Sequence, residues 1–263
     1  MTRIRIEVTL EYHFTEPTEL LLALEAATTP DQHVVEDRLF FVPEAEVTKI
    51  SGGSNVGTRC WTIADGAWRS DYGAVVDVDR HAVDLATLES SALATIPADV
   101  IPFLWPSRYC EADRFWSFVD AEFARLSGGA LVLAIVDWVR LHLRYTWGSS
   151  TSTTTAVDTF VSREGVCRDY AHLVAALVRA RDIPARLTSV YAWGLAQPDF
   201  HAVVEVWLDG AWHIVDATGL APVEQMVRIA TGRDATDIAF MTAFGRTTLV
   251  QQSVSVKMIE KAT

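Results

Sequence analysis

The chain has 263 residues, half of them hydrophobic and 21% charged, a globular composition with enough apolar residues for one large core or two ordinary ones. Its 22 basic residues are outnumbered by 34 acidic ones, a net charge of -12, and no Lys/Arg run occurs, so nucleic acid and anionic membrane are not expected partners. Three widely spaced cysteines with no Cys-x-x-Cys argue against a disulfide framework and a structural zinc site, and for a reducing, cytoplasmic compartment.

From the N-terminus, Ile4, Ile6, Val8, Leu10, Tyr12 and Phe14 alternate with polar residues, which predicts a half-buried strand and neither a signal peptide nor a membrane span. Strand-like runs follow at 20–26, 34–42, 58–64 and 68–78. Between them lie "SGGSN" at 51–55 and Asp65-Gly66, both turn chemistry. These runs predict an antiparallel β unit, a sandwich or a strongly curved sheet. The proline-rich "IPADVIPFLWPS" at 96–107 then closes an N-terminal β-rich domain, placed at 1–105.

The character changes at 106–263. Phe115, Trp116, Phe118, Val119, Phe123 and Leu126 recur at helical spacing, and Gly128-Gly129 stops that helix. Residues 130–144 predict a second helix, with Arg140, His142 and Arg144 suited to its C-terminal end. "TWGSSTSTTT" at 146–155 reads as a polar loop. A third helix starts near Cys167, runs to about Arg181 and is stopped by Pro184. Strand patterns follow to residue 217, a helical pattern covers 222–233, and 247–259 reads as a final strand. The fold class is α+β.

The segment "GVCRDYAH" at 165–172 puts Cys167 at the first turn of an apolar helix. Unpaired backbone N–H groups and the positive end of the dipole favour thiolate there, and thiolate is the reactive form. Gly165 lets another group approach closely. A free cysteine is also a common small core residue, so position alone leaves both readings open.

The segment "DFHAVVEVWLDGAWHIVDAT" at 199–218 supplies more. Asp209-Gly210 is a two-residue hairpin signal between alternating runs, and a turn centred there pairs residues whose numbers sum to 419. Trp207 then faces Trp212, Glu205 faces Ile214 and Val203 faces Asp216. His201 and Asp216 become diagonal neighbours on one face. A histidine that donates one N–H to a carboxylate keeps its other nitrogen for a proton from a thiol. Cysteine, base and orienting acid are the parts of a nucleophilic triad. The register does not show that Cys167 meets this pair.

Four motifs, "GVCRDYAHL" at 165–173, "IPAR" at 183–186, "DFHAVVEVWL" at 199–208 with Trp212, and "DAT" at 216–218, resemble those of the transglutaminase-like superfamily of papain-type cysteine enzymes. The order Cys, His, Asp is that family's order, with intervals of 34 and 15 residues here. The N-terminal β unit is similar to the β domain that precedes this core in bacterial members. The resemblance implies a nucleophile helix packed on an antiparallel sheet within 106–263. It implies Cys167 as nucleophile, His201 as general base and acid, and Asp216 as orienting carboxylate. It implies acyl transfer on a peptide or protein amide through a thioester, with protease or amidase hydrolysis ahead of transamidation and no cofactor. The Cys167 N–H would help hold the oxyanion, with Tyr145 and Trp147 as candidates for a second donor or for the cleft. Val203 stands where many relatives carry Trp, and Ala217 where many carry Pro; neither removes a reacting group.

His172, Asp169 and Arg186 read as structural residues, and Cys60 and Cys110 as inert thiols. The alternative to an enzyme is an idle scaffold of the same fold that binds peptide or protein. Metal binding by His201, His213 and a thiol is disfavoured, because the register turns His213 to the opposite face.

Overall fold

The computed structural model describes residues 1–52 and 56–260. The first alternating run becomes β1 (Thr2–Leu22), whose even-numbered side chains from Ile4 to Phe14 are buried. It pairs antiparallel with β4 (Thr58–Val78), which pairs in turn with β2 (Gln32–Val42) and with the short β3 (Thr48–Ser51). The "SGGSN" turn lies partly outside the described residues, because 53–55 fall there.

The strand runs predicted at 58–64 and 68–78 are one strand, so Asp65-Gly66 does not turn the chain. Gly66 has φ 59° and sits opposite a break in the β1–β4 register between Phe14 and Thr18. Its left-handed backbone serves a bulge. Pro17, which has no N–H to give, occupies the same break, so β1 continues through it.

The second half begins with α1 (Trp116–Phe123) and α2 (Gly128–His142). Next, β5 (Arg144–Tyr145) pairs in parallel with β6 (Glu164–Gly165) across α3 (Ala156–Ser162). Helix α4 (Cys167–Arg179) follows at once. The chain then forms β7 (Ala185–Ala192), β8 (Phe200–Leu208) and β9 (Ala211–Val215), and β10 (Met226–Gly232) completes an antiparallel sheet in the order β10-β7-β8-β9.

The helical pattern at 222–233 is therefore overturned. Every residue of β10 is buried, so no polar alternation marks it as a strand and the apolar positions mimic a helical face. The short α5 (Ala235–Ile238) leads to β11 (Met241–Ala243) and β12 (Thr247–Ile259), both of which pair with β1.

Helix α4 packs on the face of the second sheet that carries Val204, Val206, Leu208 and Val215, through Leu173, Val174 and Leu177. Each such fully buried side chain contributes about 1.5–3 kcal/mol. The core of the first sheet takes in Tyr191, Val227 and Ile229 of the second. A buried ion cluster joins the two sheets. Glu205 accepts from Arg186 at 2.7 Å and Arg228 at 2.6 Å, and Arg228 reaches Asp31 at 2.8 Å. No helix among the described residues is long and apolar enough to cross a membrane.

Candidate active site

The site begins with the turn before α4. The Asp169 carboxylate folds back to accept the Val166 N–H at 2.9 Å and the Ser150 hydroxyl at 2.8 Å. This satisfies one of the helix's open donors and fixes the turn that presents Cys167. The fit leaves no room for a side chain at 165. A Cβ on Gly165 would lie 2.7 Å from the Asp169 Cβ. Cys167 is the first residue of the helix, at the positive end of its dipole, and is only partly buried.

The hairpin supplies the second half. Asp209 and Gly210 both have positive φ, 47° and 76°, as the tight mirror-image turn requires. The observed pairs Val204–Val215, Glu205–Ile214, Val206–His213, Trp207–Trp212 and Leu208–Ala211 are those the turn predicted. His201 Nε2 accordingly meets Asp216 Oδ2 at 3.0 Å, with both residues buried. Thr218 holds the carboxylate, giving its backbone N–H and its hydroxyl to Oδ1, each at 2.8 Å. Arg140 donates to the Asp216 carbonyl at 3.1 Å.

Cys167 and His201 come together at one end of the helix–sheet interface, where both line the same clefts. Burial alone would lower the His201 pKa, but the hydrogen bond to Asp216 and the adjacent Cys167 sulfur outweigh it and raise it to about 10. Both neighbours favour the charged imidazole, with Nε2 committed to Asp216 and Nδ1 left for the Cys167 sulfur. A thiol, an imidazole and a carboxylate so arranged can serve as nucleophile, proton carrier and orienting group.

Tyr145 is brought to the same point. Burial and the Cys167 sulfur push its hydroxyl well above the ordinary phenol range, so it stays a donor. Trp147 packs edge-on to Tyr145 at 5.7 Å between ring centroids but is 60% exposed. Cys60 and Cys110 are buried elsewhere, and burial raises them to about 11 and about 12. His172 is fully buried inside α4, stacked on Tyr109, and burial lowers it to about 3, so it stays neutral. His213 Nε2 pairs with the Leu208 carbonyl at 3.2 Å. No group of three His, Cys, Asp or Glu among the described residues is placed to hold a metal ion.

Two clefts flank the Cys167–His201 pair. One, of about 400 Å³, is walled by Tyr145, Trp147, Leu195 and Leu220. The other, of about 540 Å³, is walled by Arg108, Arg168, Phe200, Ile238, Phe240 and Met241. Sequence reasoning missed this second wall. Its parts are drawn from between residues 108 and 241 and are joined by tertiary packing. Thr218 was visible within "DAT", where an Asp followed two residues later by Thr is a local side-chain-to-backbone turn.

The family model described as transglutaminase-like superfamily matches residues 124–217, a span that holds Cys167, His201 and Asp216. A crystal structure from Cytophaga hutchinsonii, of a "putative cysteine protease", superposes with a TM-score of 0.92 and 35% identity, covering 100% of this chain and 92% of that one. An uncharacterized protein of Mycobacterium leprae is 29% identical over 116 residues. That match covers 41% of this chain and 42% of the relative, less than half the length of either.

Proposed function

Because this chain belongs to the transglutaminase-like superfamily, we propose that it is a cysteine-nucleophile enzyme that transfers the acyl group of a peptide or amide bond, and that water is the ordinary acceptor, as in a protease or amidase. One observation carries this reading. The cysteine at the start of a buried helix stands beside a histidine that a buried carboxylate holds at 3.0 Å.

Each step follows from that geometry. The Cys167 sulfur attacks the amide carbonyl carbon, and the carbonyl electrons move to the oxygen. The Cys167 backbone N–H and the Tyr145 hydroxyl, which lies against Cys167, are the donors assigned to that oxyanion. When the intermediate collapses, the carbon–nitrogen bond breaks and His201 gives its proton to the departing amine. The thioester remains on Cys167. Neutral His201 then takes a proton from water, whose oxygen attacks the thioester, and the acid leaves as the sulfur is regenerated. Asp216 keeps the imidazole in one orientation throughout.

The test is incubation with a mixture of unstructured peptides and methylamine, followed by mass spectrometry. New peptide termini with the wild type and none with Cys167→Ala support hydrolysis. Methylamine incorporation without new termini replaces water by an amine as acceptor. Absence of both with every peptide contradicts the enzyme reading.

A further inference from the structure

The larger of the two clefts carries chemistry that the acyl-transfer reading does not use. Its walls are apolar, and Phe200 and Phe240 stack face to face at 4.2 Å with an interplanar angle of 3°. Ile238 and Met241 extend that surface. Two arginines stand at it, although the chain's net charge is -12. They are not equivalent. Arg168 Nη2 donates to the Ser150 hydroxyl and the Thr151 carbonyl, and Asp169 lies 3.5 Å away, so its charge is already paired, although its buried Nε has no partner. Arg108 is exposed and rests over the Tyr109 ring at 4.9 Å, and among the described residues no carboxylate pairs with it. A guanidinium fixed on an aromatic face keeps its donors free for a planar anion and loses little freedom on binding one.

We propose that this cleft selects substrates that lay an apolar side chain against Phe200, Ile238, Phe240 and Met241 and set a carboxylate on Arg108. The preferred amide therefore lies next to a residue pairing a large apolar group with an anion. That anion is either a free C-terminal carboxylate or a neighbouring acidic side chain. The inference rests on the acyl-transfer reading of Cys167, because it treats the cleft as part of that site.

The experiment uses iodoacetyl reagents as probes. The Cys167 sulfur displaces iodide, a carbon–sulfur bond forms, and mass spectrometry reads the rate at that residue. Iodoacetyl-phenylalanine carries an apolar ring and a free carboxylate. Iodoacetyl-phenylalanine amide lacks the anion, iodoacetyl-glycine lacks the ring, and iodoacetyl-phenylalanyl-glutamyl amide moves the anion to a side chain. Rates are taken as ratios within each protein, so a change in the intrinsic reactivity of Cys167 cancels.

In wild type, one of the two phenylalanine reagents with a carboxylate is expected to label Cys167 about fivefold faster than the amide, the size of one exposed ion pair. Which of the two does so identifies the source of the anion. Iodoacetyl-glycine loses most of that advantage. Arg108→Gln brings the ratio to one, and Arg108→Lys keeps part of it. A wild-type ratio of one, or a ratio that survives Arg108→Gln, overturns this inference while Cys167 remains reactive. A Cys167 that plain iodoacetamide does not label overturns the acyl-transfer reading, and the inference with it.

Discussion

His201 Nε2 and Asp216 Oδ2 stand 3.0 Å apart inside the protein, and the turn at Asp209-Gly210 is what puts them there. The contact has a pH signature. Against the cost of burial, Asp216 and the Cys167 sulfur raise His201 to about 10, above the ordinary imidazole value. A raised value means that the charged pair stabilises the fold in full below the ordinary imidazole range, and that this contribution is lost as the pH climbs through about 10. Activity that needs the imidazolium falls along the same alkaline limb. Asp216→Asn removes one of the groups that hold the proton. The limb then moves to lower pH, and kcat falls by about 10²-fold. A pH–rate profile of the two proteins checks this. An unmoved limb refutes the coupling.

Tyr145 is expected to matter more than Trp147. Its hydroxyl lies against Cys167 and remains protonated, whereas Trp147 is largely in solvent. Tyr145→Phe keeps the ring and removes the donor, so kcat should drop by about 10²-fold with little change in KM. Trp147→Phe should cost less than about tenfold. Steady-state kinetics on one peptide substrate separates them, and the reverse order would move the oxyanion donor to Trp147.

Gly165→Ala tests the turn that presents Cys167. The added Cβ would meet the Asp169 side chain at 2.7 Å, and Asp169 cannot retreat without releasing Val166 and Ser150. Destabilisation of about 1–3 kcal/mol is expected, with slower alkylation of Cys167. Urea denaturation measures the first. Unchanged stability would show that the turn relaxes freely.

Much of this was legible because short-range rules governed it. The register of β8 and β9, and with it the His201–Asp216 contact, followed from one dipeptide with two positive φ angles. The same dipeptide type at Asp65-Gly66 misled, because its backbone serves a bulge between two long strands and not a reversal. Met226–Gly232 misled for a different reason: a strand buried on both faces shows no alternation. The pairing of β12 with β1 joins the two ends of the chain, and no local pattern encodes that partner. The meeting of Cys167 with His201, and the cleft wall from Phe200 to Met241, depend on how helix and sheets dock. Local spacing carries no record of that.

The ion cluster behind the hairpin predicts a stability effect separable from chemistry. Glu205 is fully buried and accepts from both Arg186 and Arg228. Glu205→Ala leaves two buried guanidinium groups facing each other without their shared anion, a loss of about 3–5 kcal/mol. A thermal melt checks it. Glu122→Ala, at an exposed position of α1, serves as a surface control with a much smaller effect.

The measurement closest to the central claim is the rate of iodoacetamide alkylation at each of the three cysteines, followed from pH 5 to 9 in wild type and His201→Ala. The account predicts that Cys167 reacts at pH 6 at least about tenfold faster in wild type than in the variant. Cys60 and Cys110, pushed up to about 11 and about 12 by burial, stay unmodified in the native protein. Equal rates at Cys167 in the two proteins, or a wild-type Cys167 as slow as Cys60 and Cys110, would contradict a sulfur activated by His201.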